Sequence, residues 1–288
     1  MKGIILAWGS WTRLYPLTLA ISKQLVPVYD KPMIYYPLST LMMAGIREVL
    51  IISTPQDTER FRMLLWDGSN LWCQFSYAVQ DKPNWLAQAF VIGKEFIGED
   101  SVCLVLGDNV FYGAWLKEAL MASTNPVWGI IFAYHVANPQ RYGVVTFDAN
   151  KKAIAIDEKP ANPTSQYAVP WIYFYDNSIV KVATSIAPSA RWEYEITDVN
   201  KAYLEQWNLS VQILPKWIAW LDTGTFQSLM QASQFVQTIE ERQDIKIGCI
   251  EEMARRKWYI DNEQLLSLAH TYKNSWYGEY LEKLLQTI

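Results

Sequence analysis

The sequence predicts a doubly wound α/β fold, a mainly parallel sheet flanked by helices. Two observations carry that expectation. The runs Gly3-Ile4-Ile5-Leu6-Ala7, Glu48-Val49-Leu50-Ile51-Ile52-Ser53 and Val102-Cys103-Leu104-Val105-Leu106 are apolar without alternation, the pattern of strands buried on both faces. Stretches of helical length and spacing lie between them, so strand and helix alternate through the first half.

Gly3 to Ala7 is the first strand, ended by the loop Trp8-Gly9-Ser10-Trp11-Thr12-Arg13. Met33 to Ala44 has helical spacing and is closed by Gly45. Glu48 to Ser53 follows as a parallel strand, which makes a right-handed βαβ unit. Thr58 to Leu65 reads as a helix, Phe75 to Val79 as a strand delivering Gln80, and Leu86 to Phe96 as an amphipathic helix. Val102 to Leu106 is a strand ending in Gly107-Asp108-Asn109.

In the second half, Gly129 to Val136, Tyr142 to Phe147, Ala153 to Glu158 and Tyr167 to Tyr175 are expected as strands, the middle two around Asp148-Ala149-Asn150. Glu195 to Gln206 is expected as a helix, Val211 to Leu214 and Ile218 to Leu221 as strands, and Phe226 to Gln237 as a helix. From Glu251 the pattern is mostly helical, with Tyr280, Leu281, Leu284 and Leu285 at helical spacing. The expected organisation is one domain over residues 1–240 and a helical extension over 241–288 packed on it.

A chain of 288 residues can bury a large core. A net charge of −4 offers no basic excess for nucleic acid. Cys73, Cys103 and Cys249 are scattered without metal spacing, which fits a reducing cytoplasm. No run approaches the roughly 18 apolar residues of a membrane helix, and the short apolar start is too brief for a signal peptide.

Ligands of such sheets bind beyond the carboxyl ends of the strands. The loop at 8–13, Gln80 and Asp108 all follow expected strands, so the site is placed at that edge. The loop, with Arg13 and Lys23 after it, makes a cradle for a nucleoside triphosphate, although the Gly-Lys-Ser/Thr ending of a Walker loop is missing. Asp108 and Asp222 are two strand-end carboxylates, either turn caps or a hard-oxygen pair suited to Mg²⁺. His135 and His270 have no carboxylate, Ser or Cys partner near in sequence and are read as structural.

The segment Leu6 to Thr18, followed by Ser22-Lys23-Gln24-Leu25-Val26-Pro27-Val28, resembles the sugar-1-phosphate nucleotidyltransferases. Their signature reads roughly L-A-G-G-x-G-T-R-L-x-P-L-T and then S-K-Q-L-x-P-V. Ile156-Asp157-Glu158-Lys159-Pro160 and Leu221-Asp222-Thr223-Gly224-Thr225 add to the resemblance, which spans nearly the whole chain. It implies a Rossmann-like mixed, mainly parallel sheet with a small antiparallel sugar-site extension and a helical C-terminal tail. It also implies attack of glucose 1-phosphate on the α-phosphorus of dTTP, assisted by Mg²⁺ on Asp108 and Asp222. Arg13, Lys23 and Lys159 would be catalytic. Trp8, Gly9, Ser10, Trp11, Thr12, Gln24, Gln80 and Trp85 would line the nucleotide, and Asn109, Tyr142, Gly143, Glu158 and Val169 the sugar. The resemblance further implies a cytoplasmic homotetramer supplying dTDP-sugars such as dTDP-rhamnose for polysaccharide. A relative using UTP or another sugar 1-phosphate, and an impaired nucleotide-sugar-binding regulator, are the rival readings.

One departure is systematic. Tryptophan supplies 14 residues and glycine only 13, where glycine is usually about 7% of a chain. Against the family pattern, Trp8, Trp11, Trp66, Trp72, Trp85, Trp115, Trp128, Trp171, Trp192, Trp207, Trp217, Trp258 and Trp276 stand where glycine is usual or acceptable. Trp220 alone falls where the family has tryptophan. A UGA codon read as tryptophan, in a bacterium that reads it as glycine, would produce this pattern. Deliberate substitution and a degraded enzyme are the alternatives. Glycine at 8 and 11 would let backbone N–H groups touch phosphate, whereas an indole there would occupy ligand space.

Overall fold

The computed structural model describes residues 1–9, 12–81, 86–187 and 195–286. Its strands in chain order are β1 (Lys2–Ala7), β2 (Pro27–Val28), β3 (Lys31–Pro32), β4 (Glu48–Ser53), β5 (Gln74–Val79), β6 (Val102–Leu106), β7 (Asn109–Gly113), β8 (Gly129–His135), β9 (Gly143–Phe147), β10 (Ala153–Glu158), β11 (Tyr167–Ala168), β12 (Ile172–Tyr175), β13 (Leu209–Ile213) and β14 (Ile218–Asp222). Among the described residues, ten of these form one sheet in the order β10-β9-β11-β8-β12-β6-β1-β4-β5, with β13 paired to β8.

The central strands β6, β1, β4 and β5 run parallel. Their apolar runs are buried on both faces: Ile4, Ile5, Val49, Ile51, Ile52, Val105 and Leu104 are all fully covered. Beyond β6 the sheet turns antiparallel through β12 and on through β11, β9 and β10, so the α/β expectation with an antiparallel extension holds. The helix Tyr35–Met43 packs under β1 and β6, and the helices Ile250–Arg256, Asn262–Thr271 and Trp276–Leu284 close the same face. Ile250, Ala254, Leu265 and Leu281 share one apolar cluster with Ile5, Leu38 and Val105.

Several boundaries differ from the sequence reading. The expected helix from Leu86 to Phe96 is two short helices, Gln88–Ile92 and Lys94–Ile97, meeting at Gly93. A Cβ at 93 would lie 3.0 Å from the Ala89 carbonyl and 3.0 Å from Ile4 Cδ1, so glycine lets the helix pair press onto β1. The expected strand from Tyr167 to Tyr175 divides into β11 and β12 because Pro170 interrupts the ladder, having no N–H to give. The ribbon of β7 with β14 was not foreseen beyond Ile218 to Leu221. The helix begun at Phe226 runs on to Gln243, opened by a capping box between Thr225 and Ser228.

Five of the tryptophans sit on backbone that suits glycine. Trp66, Trp72, Trp115, Trp207 and Trp258 all have φ between 52° and 64°, half of the ten non-glycine residues with positive φ among the described residues. Trp66 combines φ 54° with ψ −140°, a region that a Cβ all but forbids. Three helix ends make the comparison direct. After Tyr35–Met43, the Gly45 N–H reaches the Met42 carbonyl and the Ile46 N–H the Leu41 carbonyl, with Gly45 at φ 90°. After Ile196–Glu205, the Trp207 N–H reaches Leu204 and the Asn208 N–H reaches Tyr203. After Ile250–Arg256, the Trp258 N–H reaches Arg255 and the Tyr259 N–H reaches Ala254. All three are the same helix-closing pair of bonds, whose left-handed residue is normally glycine. The indoles gain little by burial: Trp66, Trp207 and Trp258 are 72%, 73% and 79% exposed, whereas Trp220 is 8% exposed.

Trp66→Gly, Trp207→Gly and Trp258→Gly should therefore each raise unfolding stability by about 1 kcal/mol, because left-handed backbone costs a side-chain-bearing residue that much. Trp220→Gly should lower it by about 3–5 kcal/mol, the usual range for deleting a buried aromatic. Urea titrations of the four variants check this; destabilisation by the first three would contradict it.

Candidate functional site

The parallel strands bring the expected residues to one edge. β1 ends at Trp8 and Gly9, β5 at Gln80, and β6 at Gly107 and Asp108. Thr12 and Arg13 lie in an exposed 3-10 turn (Thr12–Leu14), and Lys23 and Gln24 in a second one (Lys23–Leu25) that is buried. Ser10, Trp11 and Trp85 lie outside the described residues, as does Trp192.

Trp8 is half-buried, and its indole Nε1 donates to the Gln80 carbonyl at 2.6 Å. The indole thus bridges the ends of β1 and β5, across the mouth where a nucleotide would enter. Gln80 is buried and its Nε2 donates to Gln88 Oε1 at 2.9 Å. Gln24 is fully buried; its Oε1 accepts from Ser22 Oγ at 2.7 Å, and its Nε2 has no partner among the described residues. A buried amide N–H without a partner is costly, which marks this wall as one awaiting an acceptor.

Lys23 does not project freely toward a triphosphate. It is wholly buried, and its Nζ donates to Asp108 Oδ2 at 2.7 Å. Asp108 Oδ1 accepts from Asn109 Nδ2 at 3.2 Å, and the Asp108 carbonyl accepts from Thr223 Oγ1 at 2.9 Å. Antiparallel pairing of β14 with β7 sets Asp222 directly opposite Asn109, so the backbone brings the two aspartates to the same end of one ribbon. Asp222 Oδ2 accepts from Arg141 Nη2 at 2.9 Å, and Oδ1 from the Tyr142 hydroxyl at 3.4 Å. Burial and the Asp222 carboxylate push the Tyr142 hydroxyl up to about 12. A Cβ at Gly224 would lie 3.3 Å from Asp222 Oδ2, so glycine keeps that oxygen uncrowded. Two carboxylates at one ribbon end are the oxygen donors that a hard divalent cation takes, the remaining ligands being water or phosphate.

The sugar-side candidates gather on the antiparallel wing. Gly143 pairs with Glu158 across β9 and β10, and the Val169 N–H donates to the Gly143 carbonyl at 2.8 Å. A Cβ on Gly143 would stand 3.1 Å from Thr197 Oγ1 and 3.5 Å from Glu158 Oε2, so this backbone must be bare. Thr197 Oγ1 donates to Glu158 Oε2 at 2.6 Å and fixes that carboxylate. Asn109 is fully buried, its Oδ1 held by Trp220 Nε1 at 2.6 Å. Lys159 is exposed and lies 3.1 Å from Glu158 Oε1. It has φ 43° immediately before Pro160, a strained position of the kind that concentrates at functional sites.

The edge therefore brings together Trp8, Gln80, Gln24, Lys23, Asp108 and Asp222, with Tyr142, Gly143, Glu158, Lys159, Val169 and Asn109 on the adjoining wing. Arg141, Thr197 and Trp220 escaped the sequence reading as site residues. Arg141 stands one residue before the selected Tyr142, but nothing in the sequence says that it meets Asp222, which is remote in the chain and reaches it only through the sheet.

Buried ion pairs are expensive to break, because removing one partner strands the other charge away from water. Lys23→Met should lower unfolding stability by about 3 kcal/mol or more, and adding Asp108→Asn should restore part of that loss. A double-mutant cycle by denaturant titration measures it; a cost under about 1 kcal/mol for Lys23→Met would mean that the pair is not sealed.

Comparison with known proteins agrees with this geometry. The nucleotidyl transferase family model matches residues 2–239. A glucose-1-phosphate thymidylyltransferase of Mycolicibacterium smegmatis is 56% identical over 99% of both chains. One of Neisseria meningitidis is 55% identical over 99% of this chain and all of its own. A Bacillus anthracis chain assigned as a glucose-1-phosphate thymidylyltransferase, solved with sucrose, superposes with a TM-score of 0.75 at 36% identity, covering 82% of this chain and 94% of its own. A UDP-glucose pyrophosphorylase solved with UDP-glucose, at 22% identity and a TM-score of 0.72 over 82% and 98%, shares the fold.

Proposed function

Because the chain belongs to the nucleotidyl transferase family, we propose that it transfers the thymidylyl group of dTTP to glucose 1-phosphate, giving dTDP-glucose and pyrophosphate. Full-length identity above 50% to proteins named for this activity supports the reading. The observation that supports it in the structure is the arrival of Asp108 and Asp222 at one ribbon end, with Tyr142 reaching Asp222 through its hydroxyl and Lys159 through its carbonyl.

The reaction is in-line displacement. A phosphate oxygen of glucose 1-phosphate forms the new P–O bond, and the bond from the α-phosphorus to the pyrophosphate oxygen breaks. The nucleophile is already an anion, so no general base is needed; positioning and charge neutralisation suffice. Lys159 holds the sugar phosphate, Glu158 the sugar hydroxyls, Gln80 and Gln24 the nucleoside, and Arg13 the triphosphate. Lys23 holds the Asp108 carboxylate in place. Asp108 and Asp222 hold the divalent ion, Mg²⁺, which supplies Lewis-acid neutralisation of the phosphates. A cytoplasmic homotetramer completes this reading; among the described residues no helix is long and apolar enough to cross a membrane.

The Trp8 indole across the cleft favours an impaired enzyme for the literal sequence. We propose that the natural polypeptide carries glycine at the thirteen positions; the left-handed backbone of Trp66, Trp72, Trp115, Trp207 and Trp258 and the retained Lys23, Asp108, Lys159 and Asp222 support this reading. Mass spectrometry of the native peptide spanning residues 3–13 should show glycine at 8 and 11; tryptophan there would refute this. Pyrophosphate release from dTTP and glucose 1-phosphate should run orders of magnitude faster in the glycine form than in the tryptophan form. Equal rates, or a preference for UTP in a substrate panel, would overturn the respective part of the proposal.

A second kinetic test bears on Lys159. In the glycine form, Lys159→Ala should raise KM for glucose 1-phosphate at least tenfold more than KM for dTTP, because its ammonium contacts only the sugar phosphate in this assignment. Steady-state kinetics with each substrate varied in turn checks it, and equal shifts in both would reject the assignment.

A further inference from the structure

Both candidate metal carboxylates carry a side-chain cation, and the two cations differ in freedom. Lys23, on Asp108, has a side chain that is 0% exposed. It is walled in and has no route away from its partner. Arg141, on Asp222, has a side chain that is 45% exposed. It ends the 3-10 turn Pro139–Arg141 just before β9, with its guanidinium 5.6 Å from the Tyr142 ring centroid. The oxygen it occupies is the one that Gly224 keeps clear: a Cβ there would lie 3.3 Å from Asp222 Oδ2 and 4.0 Å from Arg141 Nη2.

A divalent ion binds carboxylate oxygen at about 2.0–2.1 Å and is repelled by a neighbouring guanidinium. A guanidinium held on that same Asp222 oxygen opposes the ion by charge repulsion. We infer that Arg141 is the counter-ion that occupies Asp222 in the empty enzyme and is displaced from it when the divalent cation arrives. This rests on the reading of Asp222 as a metal ligand.

The turn that carries Arg141 adjoins a second cation, Lys159. The Lys159 N–H donates to the Tyr142 carbonyl at 3.0 Å, so residues 141 and 159 adjoin on the sugar-phosphate side. Leaving Asp222, Arg141 joins Lys159 against a phosphate group, and the ion and the anion are admitted together. Without the anion the guanidinium returns to Asp222. The enzyme thereby discriminates against metal without phosphate ligand, and the discrimination resides in one exposed arginine rather than in the buried Lys23.

Mn²⁺ titration by electron paramagnetic resonance, on the full chain without nucleotide, tests this in the wild-type chain, Arg141→Gln, Arg141→Lys and Asp222→Asn. Arg141→Gln should tighten Mn²⁺ about twofold to fivefold, the scale of losing one partly exposed ion pair. Arg141→Lys should return the affinity toward wild type, and Asp222→Asn should weaken it. Unchanged or weaker Mn²⁺ binding in Arg141→Gln, with Asp222→Asn weakened, overturns the counter-ion role and leaves the metal site standing. Wild-type affinity in Asp222→Asn removes the metal reading and this inference with it.

Discussion

The buried pair of Lys23 and Asp108 is the constraint on which the site depends. It ties the turn after β1 to the end of β6, the two central strands of the sheet. Neither charge can be hydrated, so each needs the other in place for the fold to close. With Asp108 pinned, its carbonyl receives Thr223 and its side chain receives Asn109, and these bonds draw β14 onto β7. Asp222 is delivered by that pairing. The geometry of the second carboxylate is thus a consequence of the first.

A second constraint runs through Trp220. Its Nε1 holds Asn109, and its ring lies 4.9 Å from Tyr142 and 5.8 Å from Tyr134. These aromatic contacts join the ribbon of β7 and β14 to the antiparallel wing, so the edge with Asp108 and Asp222 and the wing with Tyr142 and Glu158 are registered against a shared apolar block. A buried tryptophan with its N–H satisfied is what such a residue costs least to keep. The exposed indoles of Trp66, Trp72, Trp115, Trp207 and Trp258 sit instead on left-handed backbone that suits glycine.

The Trp8 indole shows how a bulky side chain at a strand end can leave the sheet intact. β1 keeps its pairing with β4 and β6 up to Ala7 and Leu6, and the indole finds a carbonyl partner in Gln80. Folding tolerates the residue because it stands beyond the last ladder bond, where the chain has already left the sheet. Phosphate recognition by bare backbone does not tolerate it, since the space above those N–H groups is what the ligand needs.

By itself the sequence determined the α/β class, through non-alternating apolar runs whose burial on both faces admits little else. It determined β4, β6, β10 and the helix Thr58–Leu65 to the residue, because each is bounded by turn or charged residues. It also marked the edge at which Gln80 and Asp108 emerge, and the systematic glycine deficit. Tertiary structure decided which candidates touch. Lys23 meets Asp108 across 85 residues and Arg141 meets Asp222 across 81. The break at Pro170 and the extra ribbon strand β7 were decided there too. Local pattern reports which face of an element is apolar; ion pairs and strand partners between distant segments are set by packing, where burial makes an unpaired charge or an unpaired N–H too costly to leave.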